Sequence, residues 1–147
     1  MRLYFDICAI QRPLDDLSQL RVRLEAEAVL GALAACAAGL AEFVASDVHL
    51  IEIRRNPHPN RRDFALEALA LAAETLPFSL DAASQARTFA AANITGPDAL
   101  HLAAAIEAGA DYLCTTDDKF LRRSKRVDTG GVSVVSPLDL AVVLDQP

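Results

Sequence analysis

Carboxylates that stand where hydrophobic segments stop are the residues of this chain best suited to chemistry. In LCTTDDKFLRR, Leu113 and Cys114 read as the end of a buried strand, and Asp117 and Asp118 follow it. Asp6 stands near the end of a second apolar run, RLYFDI. Asp98 falls in the first turn of a helical segment, PDALHLAAA, and Glu52 follows VHLI in a mostly hydrophobic helix. Such groups are oxygen donors for hard cations. They are equally the ordinary caps and dipole partners of helices, and Glu52 could form an exposed ion pair with Arg55 or Arg62. The residue types alone leave both readings open.

The elements around them bear on the choice. Residues 2–7 read as a strand, and apolar residues at three- to four-residue spacing (Val22, Ala26, Val29, Leu33, Ala37) predict a helix from about 15 to 38. A brief strand is expected at 42–45, then a helix capped by Ser46 and ended by Asn56-Pro57. Further helices are expected at 62–76, 81–93 and 97–108, with PFSL at 77–80 as a strand between the first two. Strand 111–115, a short basic helix, strand 132–135 and a last helix from Pro137 complete the chain. This alternation predicts one domain over 1–147, a three-layer α/β/α sandwich around a mainly parallel sheet of roughly five strands. In such sheets functional groups collect beyond the carboxyl ends of the strands, where Asp6 and Asp117 would lie.

Composition narrows the classes. A hydrophobic content of 52% with 6 Gly and 7 Pro in 147 residues is that of a folded chain rather than a disordered one. The longest uncharged run, 28–41, is too short to span a bilayer, and Asp6 interrupts the apolar N-terminus as no signal peptide would allow. Cys8, Cys36 and Cys114 make no metal-finger spacing and read as reduced thiols of a cytoplasmic protein. The net charge of −6 argues against non-specific coating of nucleic acid. Nine of the 14 cations nevertheless fall in RRNPHPNRR and KFLRRSKR, so a polyanion could be held locally.

LYFDICAI, SDVHLIEIRRNP, PDALHLAAAIEAGADYLCTTDDKFLRR and VSVVSPLDLAVVL together resemble a PIN domain, most closely the single-domain ribonucleases of the VapC toxin type. The resemblance covers essentially the whole chain and is most specific over 97–120. It implies a Mg²⁺- or Mn²⁺-dependent endoribonuclease acting on single-stranded or structured RNA, a small antitoxin protein as partner, and a homodimer. By position, the acids it assigns to catalysis and to the metal are Asp6, Glu52, Asp98 and Asp117. Asp117 is chosen over Asp118 because Phe120 then falls three residues on. Converging carboxylates repel one another unless a hard cation offsets their charge. Such an ion would also activate the attacking water. Arg54, Arg55, Lys119, Arg122 and Arg123 then border the acids as candidate contacts to RNA phosphates.

Cys8 departs from the family pattern, which has an amide or hydroxyl two residues after the first aspartate. A thiol is a weaker donor, so the support of Asp6 differs here. It also argues against a phosphotransfer domain, which would want a second aspartate at that position. Glu25, Thr115 and Thr116 are candidate supports of the site, with Glu25 equally a candidate ion-pair partner. His101, three residues after Asp98 on the same helix face, could touch the site but reads first as a packed, hydrogen-bonded histidine, and His49 and His58 as structural or exposed. The second functional reading is a non-catalytic module of the same fold that binds RNA or protein.

Overall fold

The computed structural model describes residues 1–146. Five parallel strands form one sheet in the order β3-β2-β1-β4-β5: β1 (Arg2–Phe5), β2 (Glu42–Ser46), β3 (Glu74–Leu76), β4 (Tyr112–Cys114) and β5 (Ser133–Val135). Eight helices accompany them: α1 (Ile7–Ile10), α2 (Leu20–Ala37), α3 (Asp47–Arg55), α4 (Pro59–Leu69), α5 (Leu80–Thr88), α6 (Gly96–Glu107), α7 (Asp118–Ser124) and α8 (Pro137–Leu144). Two 3-10 turns lie at Arg12–Leu14 and Phe89–Ala92. The three-layer α/β/α architecture is the one the alternation of segments predicts.

The central strand explains the layering. Leu3, Tyr4 and Phe5 are all inaccessible to solvent, as a strand covered on both faces must be. Tyr4 packs with Ala82 of α5, Phe89 of the second 3-10 turn and Leu102 of α6 in one core layer. Leu3 and Phe5 point the other way, to Val29 and Leu33 of α2, Ala65 of α4 and Leu140 of α8. The chain leaves β1 toward β2 and β3, then returns to place β4 on the other side of β1. The strand order therefore reverses between β1 and β4, and at such a switch point open α/β sheets form a crevice outside the carboxyl ends of the strands. Asp6 and Asp117 follow those two strands.

Several boundaries differ from the sequence-based expectation. The first strand stops at Phe5, because Asp6 caps α1: its Oδ1 accepts from the Ala9 N–H at 2.9 Å. The long helix begins at Leu20 rather than near 15; Arg12–Leu14 is a 3-10 turn and Asp16 accepts hydrogen bonds from Ser18. The helix expected over 62–76 ends at Leu69, and its last residues instead form edge strand β3, paired Val44 to Glu74, Ala45 to Thr75 and Ser46 to Leu76. Two of the three β3 residues are exposed, so no alternation of polarity announces this strand. PFSL is accordingly not a strand. The helix expected from 81 begins at Leu80, capped by Ser79, which accepts from the Ala82 N–H at 3.0 Å.

Candidate functional site

Each of the four acids is delivered to the crevice by a different local device. Asp6 comes from the β1–α1 cap and is 3% exposed, with the Cys8 thiol donating to the same Oδ1 at 3.1 Å. Asp117 caps α7, its Oδ1 accepting from the Lys119 and Phe120 N–H groups at 2.8 and 3.2 Å. Asp98 stands in the first turn of α6, where Gly96 takes φ +57°, a backbone conformation that an L side chain would strain. Glu52 reaches over from α3, and its Oε2 accepts from His101 Nε2 at 3.1 Å.

The charges of Asp6, Asp117 and Glu52 are all felt at Asp98. The Asp98 carboxyl is pushed up to about 6, first by desolvation, then by the charges of Asp6 and Asp117, and more weakly by Glu52. Asp6 is also raised, by burial above all, against the opposing effects of the Thr115 hydroxyl, His101, Cys8 and the Ala9 N–H. Desolvation at its sulfur, and then the Asp6 charge, push the Cys8 thiol up, so it stays a donor even though the residue keeps solvent-accessible surface. Among the described residues, no three His, Cys, Asp or Glu side chains stand close enough to form a ready cation cage. The quartet is thus near enough to repel but not drawn together, with Asp6, Glu52 and Asp117 each tied back to protein through one oxygen. An all-carboxylate set in which Asp98 is raised by burial and by its neighbours' charges fits a hard divalent ion.

A buried polar circuit supports Glu52. His101 Nδ1 lies 2.6 Å from Tyr4 Oη, which lies 2.9 Å from Ser46 Oγ, and both ring and phenol are essentially inaccessible. His49 lies alongside: its Nδ1 accepts from the Ser46 N–H at 3.1 Å, and its Nε2–H donates to the Phe5 carbonyl at 2.6 Å. Burial first, then neighbouring His101, hold the His49 imidazole down to about 3, so it is neutral. Its ring sits 4.6 Å from that of Tyr4 and 4.9 Å from that of His101. His49 therefore ties the start of α3 to the end of β1, immediately before Asp6.

The other expected residues fall elsewhere. Glu25 is 1% exposed but pairs with Arg12 at 3.2 Å and Arg21 at 3.4 Å rather than with the quartet. Arg21 makes a two-point contact with Asp118 at 2.7 and 3.0 Å, while Asp15 bridges Arg12 and Arg61. Asp118, next to the site in sequence, thus serves this ion-pair chain. Thr115 Oγ1 accepts from the Asp117 N–H at 3.1 Å and lies 3.5 Å from Cys8 Sγ; Thr116 is half-buried beside the same thiol. Arg54 and Arg55 are exposed at the end of α3, as are Lys119 and Arg122 on α7, whereas Arg123 donates to the Asn93 carbonyl at 3.1 Å. Sequence reasoning placed His101 in the core without its acidic partner, and passed over Tyr4, Arg12 and Arg21. The i,i+3 spacing of Asp98 and His101 was the available signal; nothing local marks the other three.

A family model described as PIN domain matches residues 8–126, a span that holds Glu52, Asp98 and Asp117 and begins just after Asp6. Nine solved chains match. One of them, from the crystal structure of VapBC2 from Rickettsia felis bound to a DNA fragment from their promoter, aligns with a TM-score of 0.60 at 16% identity. The alignment covers 92% of this chain and 98% of that one, and at such identity it bears on the fold alone. No curated protein matches the chain.

Proposed function

This chain belongs to the PIN domain family, and from that premise we propose that it is a metal-dependent endoribonuclease, the toxin of a toxin–antitoxin pair. The observation that carries the reading is the raised Asp98 carboxyl, pushed up beside Asp6, Asp117 and Glu52 at the sheet's switch point. Asp6, Glu52, Asp98 and Asp117 would hold Mg²⁺ or Mn²⁺. Bound there, the ion would lower the pKa of a water and offset the charge that develops at phosphorus during hydrolysis. The chain's own contribution is positional. The backbone donors at Ala9, Lys119 and Phe120 fix one oxygen of Asp6 and of Asp117.

Arg54, Arg55, Lys119, Arg122 and Arg123 would hold phosphates flanking the scissile bond, giving backbone recognition of RNA without base reading. The small antitoxin and a homodimer belong to the same reading, drawn from the family resemblance and from the VapBC2 likeness in fold. No helix among the described residues is long and apolar enough to cross a membrane. End-labelled RNA of mixed sequence, incubated with the purified protein and Mn²⁺, tests the reading. Cleavage leaving 5′-phosphates and abolished by EDTA or by Asp6→Asn supports it. Cleavage unchanged by both would reject the metal site, and metal-independent binding without cleavage would make the chain a binding module.

A further inference from the structure

Three of the acids sit on short aspartate side chains, and two of those are fixed mainly by backbone N–H groups of their own caps. Glu52 differs. It approaches from α3 on a longer side chain, with an extra torsion to restrain. The contact that restrains it is made by the one side chain on α6 that lies a single helical turn beyond Asp98, His101.

We propose that His101 is the positioning residue of Glu52, and that the Ser46–Tyr4 pair behind it selects the tautomer that lets it do so. The claim rests on the metal-site reading of Glu52. The hydrogen-bond directions follow from donor counts. A carboxylate can only accept, so His101 Nε2 carries the proton toward Glu52 Oε2 at 3.1 Å. In the Nε2–H tautomer the ring accepts at Nδ1, and the donor there is the Tyr4 phenol at 2.6 Å. Tyr4 Oη in turn accepts from the Ser46 hydroxyl at 2.9 Å.

Ser46, the last residue of β2, is the N-cap of α3, and Glu52 lies on that helix six residues on. The circuit therefore leaves α3 at its N-terminus, passes through β1 and α6, and returns to α3 at Glu52. It joins the elements that carry or adjoin three of the four acids: β1 before Asp6, α6 with Asp98, and α3 with Glu52. A ring that only filled core space would need no such one-way chain ending on an acid at the site. Ligand-orienting partners of this kind typically alter metal affinity 10- to 100-fold when removed.

The test exploits which ring nitrogen an amide can replace. In His101→Gln the side-chain NH₂ reaches the Nε2 position and can still donate to Glu52; in His101→Asn it reaches only the Nδ1 position. Mn²⁺ affinity measured by calorimetry should stay within roughly threefold of wild type in His101→Gln and weaken roughly 10- to 100-fold in His101→Asn. In the double variant with Glu52→Gln, the His101→Asn loss should vanish. Equal affinities for the Gln and Asn variants, high or low, would overturn the proposal.

A second readout needs neither metal nor a folded His101 variant. Imidazole ¹⁵N spectra of the metal-free protein should show His101 as the Nε2–H tautomer, with that proton shifted by Glu52→Gln and the tautomer loosened by Tyr4→Phe. An Nδ1–H tautomer, or a signal blind to Glu52→Gln, would overturn the inference. A wild-type protein that binds no Mn²⁺ at millimolar concentration would instead remove the metal-site reading, and the spectra would still decide the role of His101.

Discussion

Beneath Glu52 the acidic edge rests on buried hydrogen bonds among Ser46, Tyr4, His49 and His101; along its rim it rests on alternating charges, from Arg61 through Asp15, Arg12, Glu25 and Arg21 to Asp118. Both assemblies join several helices and turns around the carboxyl end of the sheet. They differ in exposure. The rings of His49 and His101 are shut away from water, whereas Arg21 and Asp118 are more than half exposed. A buried polar group left without its partner bears the whole desolvation cost, while an exposed ion pair trades its contact for water at little loss. Geometry should therefore be set by the circuit, with the rim chain left free to exchange partners. Glu25 is the exception within the rim, an acid at 1% exposure that needs Arg12 beside it.

The largest effect is expected in the circuit. His49→Ala removes an inaccessible ring and strands the Phe5 carbonyl and the Ser46 N–H, and should cost on the order of 3 kcal/mol in denaturant unfolding. A loss indistinguishable from that of an exposed substitution would mean that the ring is not structural.

An intermediate effect is expected at Asp98. Its carboxyl, displaced upward to about 6, holds a proton in the folded metal-free protein over a range where the unfolded chain has released it. That contribution to stability is present at low pH and is lost as pH rises from about 4 to about 6. Over that window the metal-free wild type should lose melting temperature relative to Asp98→Asn, and saturating Mn²⁺ at neutral pH should reverse the loss. Parallel pH profiles for the two proteins would show that the four acids do not repel.

The smallest effect is expected at the end of the rim chain. Arg21→Ala and Asp118→Ala should leave the melting curve unchanged within error, at low and at high salt, because the pair is open to solvent. A clear shift in either variant would place the rim chain on the same footing as the circuit and erase the contrast.

What could be read from the chain followed the same division between local and distant causes. The strand–helix alternation, the carboxylates at the ends of β1 and β4 and the Asp98 turn are local patterns, and they yielded the sandwich and its crevice. Edge strand β3 was not legible, because two of its three residues are exposed and carry no alternation. The cap that ends β1 at Phe5 was hidden inside an apparently continuous apolar run. Glu25 was legible as inward-facing from its position on the apolar stripe of α2, but its partners were not. Arg12 lies 13 residues away and reaches it only because a 3-10 turn folds back over α2. The circuit was hidden for the same reason: Tyr4 and His101 are 97 residues apart, and only the sheet order brings their strand and helix together.

The central claim is that Asp6, Glu52, Asp98 and Asp117 form one cation site, and calorimetric titration of the metal-free protein with Mn²⁺ tests it most directly. Saturable binding at submillimolar concentration at neutral pH, lost in Asp98→Asn while the variant melts as a folded protein, is the predicted result. Binding that survives Asp98→Asn unchanged, or no binding at millimolar Mn²⁺, would contradict it.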